Sequence, residues 1–132
     1  MAKKTARKAA GRAKVPQDTK GMKELEKKIG KVPVFFRELM KTQPDMHGAV
    51  LAFDQHIWDD GNLTRKTKKI LAISIAAALR DQHAVQAQLA GAKRIGVTPG
   101  EIEEALRVTF LLAGMPAYVY GRAAMEKILG KE

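Results

Sequence analysis

The chain has 132 residues, 45% of them hydrophobic, and a formal net charge of +10. That length supports one domain with a real core, and that hydrophobic fraction excludes a wholly disordered chain. There is no cysteine, which excludes disulfides, thiolate metal sites and any thiol redox cycle run by this chain alone.

The charge is uneven. Residues 1–32 carry 11 Lys/Arg and 3 Asp/Glu, against 13 and 11 in residues 33–132. Residues 1–16 read as a flexible basic arm, because they hold six cations, no acid and hardly any large apolar side chain. Lys3, Lys4, Arg7, Lys8, Arg12 and Lys14 are its candidate contacts to nucleic acid or another anion. The competing reading is a solubilising tail. It is preferred here, since a charge run contains no base-reading element and no stacking aromatic.

Residues 17–132 read as one helical domain. Met22, Leu25 and Ile29 recur at helical spacing after Asp18 and before Gly30. Pro33 opens a second helix with Phe35, Phe36, Leu39 and Met40 on its apolar side. Pro44 opens a third, whose apolar face is expected to be Met46, Val50, Phe53 and Ile57, with Trp58 beside it. Gly61-Asn62 turns the chain into residues 63–116, around which the rest is organised.

That stretch begins with Thr64 as an N-cap and a cationic first turn, Arg65, Lys66, Lys68 and Lys69, which opposes the helix dipole. From Ile70 to Leu79 the helix is apolar or small nearly all round, so it should be the most buried. Ser74 is expected to bond back to its own helix. The run is far short of the roughly 20 residues that span a bilayer. The basic N-terminus has no apolar stretch after it, so a cytoplasmic protein without membrane contact is expected. Asp81 should cap the next helix, in which Val85, Leu89 and Ala92 form one stripe and Ala87, Ala90 and Gly91 a small-residue strip. Gly96 ends it. Thr98-Pro99-Gly100-Glu101 is a capping box with proline at the first helical position. Ile102, Leu106, Thr109, Phe110 and Ala113 should face inward. After Gly114-Met115-Pro116, a last helix carries Tyr118, Gly121, Met125 and Ile128. Glu103 and Glu104 read as an exposed first turn.

The run LTRKTKKILAISIAA, the Leu79-Arg80 joint, the helix ending IGVT, then EIEEAL and LAGMPA resemble the carboxymuconolactone decarboxylase family, which includes alkyl hydroperoxidase D-like proteins. The resemblance covers about residues 30–130. It implies an all-α fold of six to seven helices on a central antiparallel hairpin, and homo-oligomers, commonly trimers or hexamers. The peroxidase-like members carry Cys-x-x-Cys at the start of the helix after the joint, a histidine four residues on and a glutamate twelve residues before. Here those positions hold Asp81 and Ala84, Gln88, and Lys69. His83 matches a histidine that some members carry between the two cysteines.

Two function classes follow. One is a divergent, non-thiol helical oligomer with no peroxidase activity of its own. The other is a family enzyme, of alkylhydroperoxidase or lactone decarboxylase type, working through a non-cysteine pocket at the joint. For the second, Lys69, Asp81, His83 and Gln88 are the candidate catalytic residues: Asp81 or His83 as proton acceptor, Lys69 as anion holder. The plainer reading, preferred here, makes Asp81 an N-cap, His83 a partly exposed polar side chain and Lys69 a solvated cation. No metal or cofactor is expected. His47 and His56 lack second ligands at i+3 or i+4, and no phosphate loop or nucleophile elbow is present.

Overall fold

The computed structural model describes residues 18–130; the basic arm and its six candidate anion contacts lie outside the described residues. Seven α-helices follow in order: α1 Thr19–Ile29, α2 Val34–Thr42, α3 Pro44–Trp58, α4 Arg65–Leu79, α5 Gln82–Ala92, α6 Pro99–Ala113 and α7 Met115–Leu129. A 3-10 turn, Lys93–Ile95, follows α5, and no strand occurs among the described residues.

The boundaries follow from local chemistry. Asp18 caps α1 by accepting from the Gly21 amide. Thr98 and Glu101 form the reciprocal capping box of α6, with Pro99 at its first position. Gly96 has φ 84° and Gly114 φ 90°, conformations that L side chains rarely adopt. The joint between α4 and α5 uses Arg80 at φ 53°, the one positive-φ non-glycine among the described residues. Its amide and that of Asp81 bond back to Ala77 and Ala76, which closes α4 and turns the chain into an antiparallel hairpin.

The cationic start of α4 is held by partners outside the helix. Lys66 pairs with Glu101 at 2.8 Å. The Arg65 amide donates to Asp60 at 2.7 Å. Lys68 Nζ donates to the carbonyls of Ile57 and Asp59 at 2.8 and 2.6 Å, placing a cation at the negative end of α3.

Two clusters of buried side chains form the interior. One joins α4 to α7 through Ile73, Ala77, Val85, Leu89, Ile102 and Leu106. The other joins α1 and α3 through Met22, Leu25, Ile29, Leu51 and Trp58, with Ala72 of α4 packed against it. Each fully buried leucine or isoleucine here contributes about 1.5–3 kcal/mol. Gly91 and Gly30 let α5 and the end of α1 meet backbone to backbone; a Cβ on either would collide with the other segment's main chain. The small-residue strip on α5 is therefore used at Gly91.

Several sequence expectations are corrected, among them Phe110 of α6, expected inward and 44% exposed. The inward face of α3 is His47, Leu51 and Trp58, with Asp54 half-buried, while Met46, Phe53 and Ile57 point outward. Both stripes satisfy helical periodicity, and the more apolar one faces away from the core. Helix α4 is not buried all round: Leu71 is 45% exposed and Ile75 58%. The Thr109 hydroxyl of α6 lies between two carbonyl acceptors, Ala105 of its own helix at 3.4 Å and Ser74 of α4 at 3.5 Å. Glu103 is no free first-turn acid, since it accepts from Tyr118 at 2.6 Å and Arg122 at 2.8 Å, tying α6 to α7.

Candidate functional site

Helices α4 and α5 run antiparallel from Arg80, which brings Lys69 level with Gln88. The Lys69 Nζ donates to Gln88 Oε1 at 2.8 Å. The same ammonium lies 4.5 Å from the centre of the Trp58 ring, close enough for a cation–π contact. Trp58 Nε1 donates to Asp54 Oδ1 at 3.2 Å. Lys69 is 1% exposed. It occupies the seam between the two clusters, where Ala72 packs toward one and Ile73 toward the other.

Burial shifts both charged groups. Desolvation lowers the Lys69 ammonium from 10.5 to about 8, opposed by the attraction of Asp54. Desolvation raises the Asp54 carboxyl above its ordinary value, opposed by the Trp58 donor and by Lys69. The cluster is thus a buried cation held by a carbonyl oxygen and an aromatic face, with the Asp54 carboxylate, bonded to that ring's N–H, attracting it from beyond ion-pair distance.

The four sequence candidates separate. Lys69 and Gln88 meet. Asp81 is exposed and accepts from the Ala84 amide at 2.9 Å as the N-cap of α5. His83 is exposed and borders a groove of about 630 Å³ that Lys31, Val34, Phe35, Ala87, Ala90 and Ile128 also line. Neither Lys69 nor Gln88 lines that groove. The picture of Lys69 as a solvated cation is overturned, because its stem follows the core-facing stripe of Ile73 and Ala76. Asp54 and Trp58 were not anticipated. Their i,i+4 spacing was visible, but the apolar stripe beside them drew the assignment of the buried face.

His47 is also buried, its Nε2 3.1 Å from Met22 Sδ and its ring edge-on to Phe36 at 6.0 Å. It packs in the α1–α3 core, while His56 is exposed. Among the described residues, no three His, Cys, Asp or Glu side chains come together as metal ligands.

Residues 44–127, running from α3 through most of α7, match the carboxymuconolactone decarboxylase family. The chain belongs to that family. An uncharacterised protein of Methanocaldococcus jannaschii is 35% identical over 100 residues, spanning 72% of this chain and 96% of its own length. A second uncharacterised protein of that organism is 26% identical over 102 residues, or 76% of this chain and 95% of its own. Among solved structures, a carboxymuconolactone decarboxylase family protein from Legionella pneumophila superposes with TM-score 0.68 at 20% identity, covering 82% of this chain and 98% of that one. A candidate carboxymuconolactone decarboxylase from Burkholderia xenovorans gives 0.71 at 19%, covering 85% and 88%. At that identity the likeness is one of fold. Within that fold, the hairpin of this chain is joined by Lys69, which lies over the Trp58 ring, and by its acceptor Gln88.

Proposed function

We propose that this protein is a divergent member of its family that serves as a helical homo-oligomer and has no thiol peroxidase activity of its own. The observation that carries the reading is the Lys69–Gln88 pair. It stands at the positions that the resemblance assigns to a glutamate and a histidine, and its lysine is 1% exposed. Thiol chemistry needs a thiolate at the start of α5, where the chain has Asp81 and Ala84.

The outer surface supports assembly. Leu71 and Ile75 of α4 and Val108 and Leu112 of α6 are exposed on two helices that share the larger core cluster. Leu112 is 82% exposed in the single chain. Exposed large apolar side chains in such number are what an interaction surface would need, and a family scaffold of trimers or hexamers would cover them.

The alternative, a family enzyme working without cysteine, has one observation on its side: a lysine held near 8 has a neutral, nucleophilic fraction at neutral pH. Its burial counts against it.

Purified protein assayed with an organic hydroperoxide and a dithiol reductant should turn over no faster than a heat-killed control. Light scattering at micromolar concentration should give several times the chain mass of 14.5 kDa. Turnover would sink the first half of the reading, and a clean monomer the second.

A further inference from the structure

We infer that the outer face of α1, together with the 3-10 turn after α5, is a contact surface for the phosphate backbone of duplex nucleic acid. Lys20, Lys23 and Lys27 lie at i, i+3 and i+7 of α1, and all are exposed. The sequence separates them from Lys93 and Arg94 by more than 60 residues. The fold joins them. The backbone contact between Gly30 and Gly91 seats the end of α5 against the end of α1, and Arg94 Nη1 donates to the Gly30 carbonyl at 2.9 Å. A shallow hollow between them is lined by Lys23, Glu26, Lys27, Gly30 and Arg94.

The charge balance singles out this face. Residues 18–32 with Lys93 and Arg94 hold seven cations and three acids. The rest of residues 33–132 holds eleven of each. All the net positive charge of the helical domain therefore sits here. Two of the three acids are engaged: Asp18 caps α1, and Glu26 pairs with Arg37 and Arg94 at 3.8 Å, while Glu24 is exposed among the lysines of α1. Among the described residues, Lys20, Lys23, Lys27, Lys31 and Lys93 form no ion pair within 4.0 Å. At 1.5 Å per residue the α1 stripe is about 10 Å long, the length of duplex axis over which one strand rises by about three phosphates at 3.4 Å each. The basic segment Lys3–Lys14 precedes the same helix in the chain.

A duplex fits this face better than a membrane. Interfacial helices bury an apolar side in the headgroup region, and the apolar side of α1, Met22, Leu25 and Ile29, is already buried in the core. The face reads no bases, so binding is indifferent to sequence and governed by counterion release.

The test uses the full chain and two duplexes of unrelated sequence, with fluorescence anisotropy across a salt series. Both duplexes should bind alike at low salt. Lys20→Gln/Lys23→Gln/Lys27→Gln should weaken binding and reduce the slope of log affinity against log salt by about 2.7, at about 0.9 per lost phosphate contact. Lys93→Gln/Arg94→Gln, from the other edge of the face, should reduce it by about 1.8. Lys41→Gln/Lys127→Gln, away from the face, should leave it unchanged. The inference is overturned if the two face variants keep the parent's slope, if the control pair lowers it as much, or if the parent fails to bind at low salt. It is equally overturned if phosphatidylserine vesicles compete with the duplex at equal anion concentration.

Discussion

The two sides of α4 invert the usual order of a soluble helix. Inward, Lys69 is 1% exposed and faces Gln88, Trp58 and Asp54. Outward, Leu71 and Ile75 stand at 45% and 58% exposure, and Leu112 of the neighbouring α6 at 82%. A lone helix should do the reverse, since a buried cation costs several kcal/mol and an exposed leucine forgoes burial. The difference teaches that the two sides answer to different neighbours. The inner one is matched to partners within the chain, each supplying a specific atom. The outer one has no such partner among the described residues and is matched, on the proposed function, to further copies.

The largest effect should come from the outer side. Leu71→Glu/Leu112→Glu adds two carboxylates to a face that is open in the single chain. Monomer stability should change by no more than about 0.5 kcal/mol per site, as for other surface substitutions. Light scattering should nevertheless fall from a multiple of 14.5 kDa to the chain mass itself, because unpaired charges buried at an interface are strongly unfavourable. An assembly that survives both glutamates would locate the contact elsewhere and leave the outer side of α4 without a role.

The inner side responds differently to the same kind of change. Lys69→Ala strips Gln88 Oε1 and Trp58 of the ammonium and leaves a cavity, costing about 3–5 kcal/mol in denaturant unfolding. Lys69→Met keeps the stem and removes the buried charge, so it should stay within about 1.5 kcal/mol of the parent. The two variants also isolate a pH signature. With a pKa of about 8 folded and 10.5 unfolded, Lys69 is protonated in both states below pH 8, and the full cost of holding a buried cation is present there. Between pH 8 and 10.5 the unfolded chain binds a proton that the folded chain does not, so stability rises with pH. The gain is about 3 kcal/mol at most. The parent should therefore gain on Lys69→Met across that window. Parallel curves would mean that the amine is solvated.

Much of this arrangement was legible in the chain. The caps at Asp18, Thr64, Asp81 and Thr98, the stops at Gly30, Gly96 and Gly114, and the stripe Val85–Leu89–Ala92 are local signals, and the structure keeps them. The pairing of Lys69 with Gln88 was within reach of helix geometry once the chain reversed at Arg80. The buried face of α3 was not legible. Hydrophobicity ranks Met46, Phe53 and Ile57 above His47 and Asp54, and only the tertiary partners Met22, Phe36 and Lys69 reverse that order. The meeting of Lys93 and Arg94 with α1 was equally hidden, since it depends on two glycines more than 60 residues apart.

The smallest effect concerns Asp81, which lies next to the joint but not in the cluster. It is exposed, and its carboxylate accepts from the Ala84 amide. Asp81→Ala should therefore cost only what an N-cap is worth, about 1 kcal/mol, and Asp81→Ser should recover most of it, because serine offers the same acceptor to the same amide. A carboxylate acting on the buried cation would give another pattern. Its loss would then change the pH-dependent difference between the parent and Lys69→Met, and serine would not restore it. Measuring that difference in an Asp81→Ala background thus separates a cap from a site residue. An unchanged window with a rescue by serine fixes Asp81 as the start of α5. A displaced window would join Asp81 to Lys69, Asp54 and Gln88, and would revive chemistry at the hairpin that the burial of Lys69 argues against.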